Sequence, residues 1–302
     1  MVSVERAHLN SVFAASEIDN DKKCSVNFND CYELLPEIGR GRFAKVCQIR
    51  NLTTNEVFAA KIIRRFRNGK DTLGNVLREL QVIELGTRSE HIVNMHHYFL
   101  REKDIVIVME HASGGDLYNL IQFANVKLSH ISVKVVLRQI LQALSFLHRH
   151  KFVHLDIKPD NVLLRRPYPE LNVALCDFGL AKNLEDETIV RDLVGTPDYA
   201  APEILDYNPI HLTTDIWSVG VLTYFLLTGV SPFWAPTKAE TLTNVTQVRI
   251  NYPEELFDDI PSCAISFIRK LLVKNPCDRP STVECLEDEW FSEEGRRTPA
   301  SN

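Results

Sequence analysis

The spacing of hydrophobic residues changes period partway along this chain of 302 residues. Up to about residue 110 the apolar residues come in short alternating runs. "YELLPEIG", "FAKVCQIR" and "EVFAAKII" predict three strands, with a turn-like "LTTNE" between the last two, and "IVNMHHYFL" and "DIVIVMEH" predict two more. Within that region only 72–86 reads as a helix. Past "EHASGGDL" the period lengthens. Val133, Val136, Leu137, Ile140, Leu141, Leu144 and Leu147 fall on one face of a helix over 131–150, and further helices are expected at 214–229, 262–272 and 281–286. The switch calls for an α+β chain, with a small β-rich part first and a larger helical part after it. Residues 1–27 are polar and weakly periodic and read as a flexible tail. A hydrophobic content of 45% supplies a sizeable core.

The glycine-poor text makes "EIGRGRFAKVCQI" conspicuous. Gly39 and Gly41 begin a phosphate-loop pattern, but Ala44 stands where a third glycine is usual. By itself the loop fits either a phosphate-binding hairpin or a dinucleotide fingerprint. The second needs a strand–helix after the glycines and an acid about twenty residues on. Here a strand follows, and that position carries Lys61 in "AAKII". In "NVLRELQVI", Glu79 borders the stripe of Leu73, Val76, Leu77, Leu80 and Ile83. A carboxylate facing a core needs a partner, and Lys61 is the natural one. A lysine held in this way can grip phosphate oxygens.

"VHLDIKPDNVLL" (153–164) and "LCDFGLAK" (175–182) carry the most chemistry. Moving a phosphoryl group to a hydroxyl needs a carboxylate for the hydroxyl proton, a cation for the charge in transit and hard ligands for a metal. Asp156 can be the carboxylate and Lys158 the cation, while Asn161 and Asp177 are oxygen ligands of the kind Mg²⁺ prefers.

The ordered set resembles a eukaryotic protein kinase from about Tyr32 to Phe291: glycine loop, strand lysine, helix glutamate, H-x-D-x-K-x-x-N, D-F-G and A-P-E. The resemblance implies a bilobal fold with an ATP cleft between the lobes. It sets the kinase domain at 28–293, with an N-lobe over 28–110, a C-lobe over 111–293 and a tail over 294–302. ATP with Mg²⁺ (Mn²⁺ as an option) is the implied cofactor set. Asp156, Lys158, Lys61 and Glu79 are the implied catalytic residues, and Asn161 and Asp177 the metal ligands. The nucleotide would be lined by Ile38, Gly39, Arg40, Gly41, Ala44, Val46, Ala59, Met109, Glu110, Ala112, Asp116, Asp160 and Leu163, with Phe43 at the tip of the hairpin. Glu203 is expected to pair with Arg279, and Asp215 to hold the catalytic loop's backbone. His154 and Phe178 read as packing.

Lys158 and Thr196 resemble the serine/threonine class, where the Thr196 hydroxyl can bridge Asp156 and Lys158. Asp116 and Asp160 match positions that favour basic residues upstream of the target hydroxyl; alternatively, Asp116 caps its helix and bonds the ribose. "RRFRNGKD" places Arg64, Arg65, Arg67 and Lys70 in a basic, exposed loop that resembles the death-associated protein kinase family. A partner contact or self-association through that loop is expected. "HLD", with Leu155 in place of arginine, also resembles that family, nearest its DAPK-related apoptosis-inducing subgroup. Leucine cannot grip an activation-loop phosphate, so Thr188 is expected to be no obligate switch. No basic amphipathic calmodulin-type helix is visible after Phe291. The alternative from another class is a pseudokinase scaffold.

Composition bounds the partners and compartment. A net charge of −6 argues against nucleic acid as a general partner, and no apolar run is long enough to span a membrane. The odd, scattered set of seven cysteines reads as reduced thiols, implying an intracellular protein of cytoplasm or nucleus.

Overall fold

The computed structural model describes residues 23–24, 26–41, 44–67, 70–185, 190–192 and 194–292. Phe43, Thr188 and most of the expected tails lie outside the described residues, as do the side chains of Arg67 and Lys70. The chain divides into two compact units: one holds residues up to Ser113 together with Cys176–Ala181, the other Gly114–Leu175 and everything from Lys182 on.

The first unit is built on a five-stranded antiparallel sheet. After the single helical turn α1 (Phe28–Cys31) come β1 (Tyr32–Arg40), β2 (Ala44–Asn51), β3 (Val57–Arg64), helix α2 (Leu73–Gly86), β4 (Met95–Leu100) and β5 (Asp104–Glu110). The spatial order is β1-β2-β3-β5-β4. Period-two alternation gives the sheet two different faces. One carries the buried cluster of Phe28, Tyr32, Cys47, Ile49, Ala60, Ile62, Phe99, Val106 and Val108. On the other, Val46 lies opposite Lys61 and Lys61 opposite Ile107, while Gln48, Ala59 and Met109 form the next row.

Two sequence expectations need correction in this unit. The tail expected over 1–27 is tied down before its end: the Cys24 N–H donates to Tyr98 O at 2.9 Å, and Asn27 caps α1. Burying Phe28 is what holds it, because a 3%-exposed phenylalanine on the apolar cluster outweighs the polar residues around it. The loop "RRFRNGKD" is not uniformly exposed either. Within it, Phe66–Arg67 pairs antiparallel with Lys70–Asp71. Alternation there turns Arg65 inward, to 6% exposure, with its guanidinium 4.8 Å over the Phe66 ring. Arg64 stays exposed.

The second unit is mostly helical. Its main elements are α3 (Leu117–Gln122), α4 (His130–Arg149), the short strands β6 (Phe152–Val153), β7 (Val162–Leu164), β8 (Val173–Leu175) and β9 (Lys182–Asn183), then α5 (Thr213–Thr228), α6 (Lys238–Thr246), α7 (Ser262–Leu271) and α8 (Thr282–Leu286). Helix α4 starts at Ser129, whose Oγ accepts from Ser132 N at 3.1 Å, and buries the apolar stripe read from its sequence. Helix α5 is mostly apolar and is buried all round from Thr214 to Leu227, so it forms the axis of the unit. Strand β7 pairs with β8, and β6 with β9. The pairings bracket the loop 154–161 between two pinned strands. Gly114 is required by close approach: a Cβ there would lie 2.2 Å from Arg166 O.

Candidate active site

In the first unit, Lys61 lies on β3 and Glu79 on the inward face of α2. Lys61 Nζ donates to Glu79 Oε1, and to Asp177 Oδ1 at 2.6 Å. Glu79 is buried, whereas the Asp177 side chain is about half exposed at 47%. Burial works against the Lys61 charge, but the two carboxylates overcome it, and the pKa rises well above the ordinary lysine value. Lys61 therefore stays charged throughout the neutral range. Asp177 sits at φ 61°, in the left-handed region that non-glycine residues seldom adopt, ahead of the buried Phe178.

The antiparallel pairing of β1 with β2 brings Gly39 opposite Val46. A Cβ on Gly39 would meet Val46 only at 3.8 Å, and one on Gly41 would meet Ala44 O at 3.8 Å. The chain's own packing does not demand glycine at either place. Arg40 is engaged in a two-pronged pair with Glu37 at 2.7 and 2.6 Å. Ala59 and Met109 are buried side by side, Val46 is half-buried and Ile38 is 49% exposed. The Glu110 N–H donates to Asn94 O at 2.9 Å, and Glu110 Oε1 accepts from Asn94 N at 2.8 Å, which fixes the start of the 110–113 segment. Ala112 follows, half-buried.

Gln48 and His111 belong to no motif, yet they meet here, with Gln48 Nε2 3.0 Å from His111 Nε2. Burial lowers the His111 pKa, so the neutral ring accepts the amide N–H. The available signal was strand parity, since Gln48 shares its face with Val46.

In the second unit, the loop after β6 holds a second cluster of charged side chains. Asp215, fully buried on α5, accepts from His154 N and Leu155 N, both at 2.9 Å, and lies 2.8 Å from His148 Nε2. That grip supports Leu155 at φ 67°, a strained backbone for a branched residue. The strain presents Asp156 next in line. Its carboxylate accepts from Asn161 Nδ2 at 2.8 Å and from the Thr196 hydroxyl at 2.9 Å, and Lys158 Nζ lies 2.9 Å away. Lys158 also donates to Thr196 Oγ1 at 2.9 Å. Asp156, Lys158 and Thr196 thus form a closed triangle, with Asn161 bracing it from behind.

Asp116 N-caps α3 through Asn119 N at 2.7 Å, and its second oxygen accepts from Asn119 Nδ2 at 2.6 Å. The capping alternative therefore accounts for both oxygens. Burial first, with the carboxylates of Asp116 and Asp156 adding to it, holds the Asp160 carboxyl above the usual range, although Lys158 pulls it back in part. Leu163 is half-buried on β7. Glu203 and Arg279 make a two-pronged pair at 2.7 Å in full burial.

No group of three or more His, Cys, Asp or Glu side chains among the described residues could enclose a metal ion. A hard cation held by Asp177 or Asn161 would need most of its ligands from water or from a phosphate, as Mg²⁺ commonly does. Asn161 uses its amide nitrogen for Asp156, which leaves its oxygen for such a role. The donor set fits a phosphate-borne cation and not a resident structural one.

Residues 32–291 match the protein kinase domain family. Serine/threonine-protein kinase 17A of Oryctolagus cuniculus is 40% identical over 275 residues, covering 90% of this chain and 69% of that protein. Death-associated protein kinase 2 of Homo sapiens is 36% identical over 268 residues, covering 87% of this chain and 72% of that protein. Among solved structures, the twitchin kinase region of C. elegans superposes with a TM-score of 0.79 at 32% identity; it covers 92% of this chain, which spans 47% of the twitchin chain. The chain belongs to the protein kinase family, as a serine/threonine kinase of the death-associated group. That family works with ATP and a divalent metal on protein substrates. Nothing in the site or among the relatives favours a scaffold without transfer. No helix among the described residues is long and apolar enough to cross a membrane.

Proposed function

We propose that this chain transfers the ATP γ-phosphate to serine or threonine hydroxyls through the two clusters just described. The observation that carries this is the Asp156–Lys158–Thr196 triangle. It holds a carboxylate and an ammonium together with a hydroxyl fixed between them. Asp156 orients the incoming hydroxyl and takes its proton. Lys158 offsets charge on the transferring group. Lys61, kept charged by Glu79 and Asp177, holds nucleotide phosphate oxygens. Gly39 and Gly41 let backbone N–H groups approach those phosphates, which explains glycines that the chain's own packing does not need. Ile38, Val46, Ala59, Met109 and Leu163 line the base, and the backbone of Glu110 and Ala112 reads its edge. Asn161 and Asp177 would hold Mg²⁺, which when bound neutralises phosphate charge. Asp156→Ala is expected to lower kcat by about 10²- to 10⁴-fold while leaving the melting temperature near that of the wild type. Equal transfer before and after that substitution would end the proposal.

The substrate preference is for arginine or lysine upstream of the target. Its support is the raised Asp160 carboxyl, which a substrate cation would relieve; Asp116 contributes less, being spent on Asn119. A peptide-library profile should show basic enrichment, and a flat profile would remove this part. The exposed Arg64 remains a candidate partner contact, without its buried neighbour Arg65. None of the seven cysteines is in a disulfide, which suits the reducing cytosol or nucleus.

A further inference from the structure

Leu155, buried at 7% exposure, gives the segment leading to Thr196 no charged group to hold. That segment nevertheless carries an acid, Asp192, whose Oδ2 lies 2.7 Å from Lys182 Nζ. Both side chains are partly shielded, at 39% and 22% exposure. Lys182 stands on β9, and in that pairing it lies opposite Val153, the residue before His154. The ion pair therefore fastens the segment to β9, whose partner strand β6 leads directly into Asp156.

Other contacts in the same stretch share the direction of this hold. Val190 is buried, and its carbonyl accepts from Ile210 N at 2.9 Å. The Leu184 N–H donates to Lys151 O at 2.9 Å. Gly195 adopts φ 92° and passes so near Leu155 that a Cβ would fall 2.8 Å from its carbonyl oxygen. Between these points the segment must deliver the Thr196 hydroxyl to Asp156 and Lys158. Lys182–Asp192 is the described side-chain ion pair that ties it down ahead of Thr196.

We propose that Asp192 is a positioning residue for the transfer reaction: paired with Lys182, it acts as a fixed internal anion that seats the 190–196 segment and so sets Thr196 on Asp156. This rests on the kinase reading above. Charge supplied by the sequence itself does the holding, so the seat is present without any modification of the segment. Pairs in direct contact commonly couple strongly, and segments with few buried contacts open at low free energy. A modest ion pair can therefore shift the seated population measurably.

The test compares the wild type with Asp192→Asn, Asp192→Lys, Lys182→Glu and the swapped pair Asp192→Lys/Lys182→Glu. Peptide phosphorylation kinetics are read beside limited proteolysis of the segment and the melting temperature of the chain. Asp192→Lys is expected to lower kcat/KM for peptide about tenfold, with the KM for ATP unchanged and with faster cleavage in the segment. The swapped pair should recover most of that loss in both readouts. Asp192→Asn should show a smaller loss of the same kind, and it supplies the answer if a charge-reversed variant does not fold. A swapped pair no better than Asp192→Lys, or Asp192→Asn indistinguishable from wild type in kinetics and cleavage, overturns the proposal. A wild-type chain that transfers no phosphate would instead overturn the kinase reading beneath it.

Discussion

Two pairs of opposite charge, both removed from water, do opposite work in this molecule. Arg279 spends every N–H of its guanidinium: on Glu203, on the carbonyls of Val273, Thr213 and Lys274, and its face stacks 5.1 Å from the Trp217 ring. Glu203 in turn accepts from Thr214 at 2.9 Å. Nothing is left to offer a ligand. Lys61 also pairs with a buried glutamate, but its second partner is the half-exposed Asp177. The first pair is closed and the second is open. A buried charge whose bonding is complete serves architecture, and one left with an accessible neighbour can serve chemistry.

That contrast is easiest to break by mutation. Arg279→Ala should cost about 3–5 kcal/mol of stability, because it leaves Glu203 charged and buried without a counter-charge; urea unfolding measures it, and any activity loss should follow the folded fraction. Lys61→Met should do the reverse, lowering kcat by about 10²- to 10³-fold, as removal of one electrostatic stabiliser commonly does, while the urea midpoint moves much less. If Lys61→Met unfolds the chain as readily as Arg279→Ala, the open pair is architectural after all. Thr196→Val sharpens the distinction within the second unit. Losing one hydroxyl between Asp156 and Lys158 should cost about 1–3 kcal/mol, seen as a roughly 5- to 160-fold fall in kcat.

A smaller effect separates the units by pH. Burial lowers the pKa of His97, which lies 2.9 Å from the Tyr32 hydroxyl, and of His111. Below the unperturbed value of 6.5 the unfolded chain takes up protons that the folded ring resists. The folded state then binds fewer protons, so stability is complete above that pH and is lost as the pH falls through the lowered values. Melting followed by hydrogen exchange at about pH 5.5 and pH 7.5 should show the first unit weakening on acidification, and His97→Phe should blunt the change.

Much of this was legible beforehand, for physical reasons. Helix α4 announces itself because one face is buried and the other is not, whereas β5, buried on both faces from Ile105 to Met109, reads as a short continuous apolar run. Lys61 and Glu79 could be paired from sequence because an inward carboxylate must find a cation. Asp156, Lys158 and Asn161 stand at spacings that a polar loop between buried strands can present together. Other features had weaker signals. Helix α6 is threonine-rich and poorly amphipathic, though Thr237 and Glu240 form a capping box that marks its start. Arg65 looked like its neighbour Arg64, and only strand alternation distinguishes them. The Lys182–Asp192 contact spans a loop, so no local pattern could reveal it. Nor could any local pattern assign Cys176–Ala181 to the first unit.

The family match begins at Tyr32, but the folding unit begins earlier. Phe28 stacks on Tyr32 at 5.6 Å between ring centroids and meets Phe99 edge-on at 5.3 Å. Cys24 adds its backbone to the edge of the sheet at Tyr98. Cutting the gene at the family boundary would peel this cover away from Tyr32 and Phe99 and leave an exposed apolar surface of the kind that drives aggregation. Anyone expressing the catalytic domain should therefore start upstream of Lys23, because the practical beginning of this enzyme is set by its packing and not by its motifs.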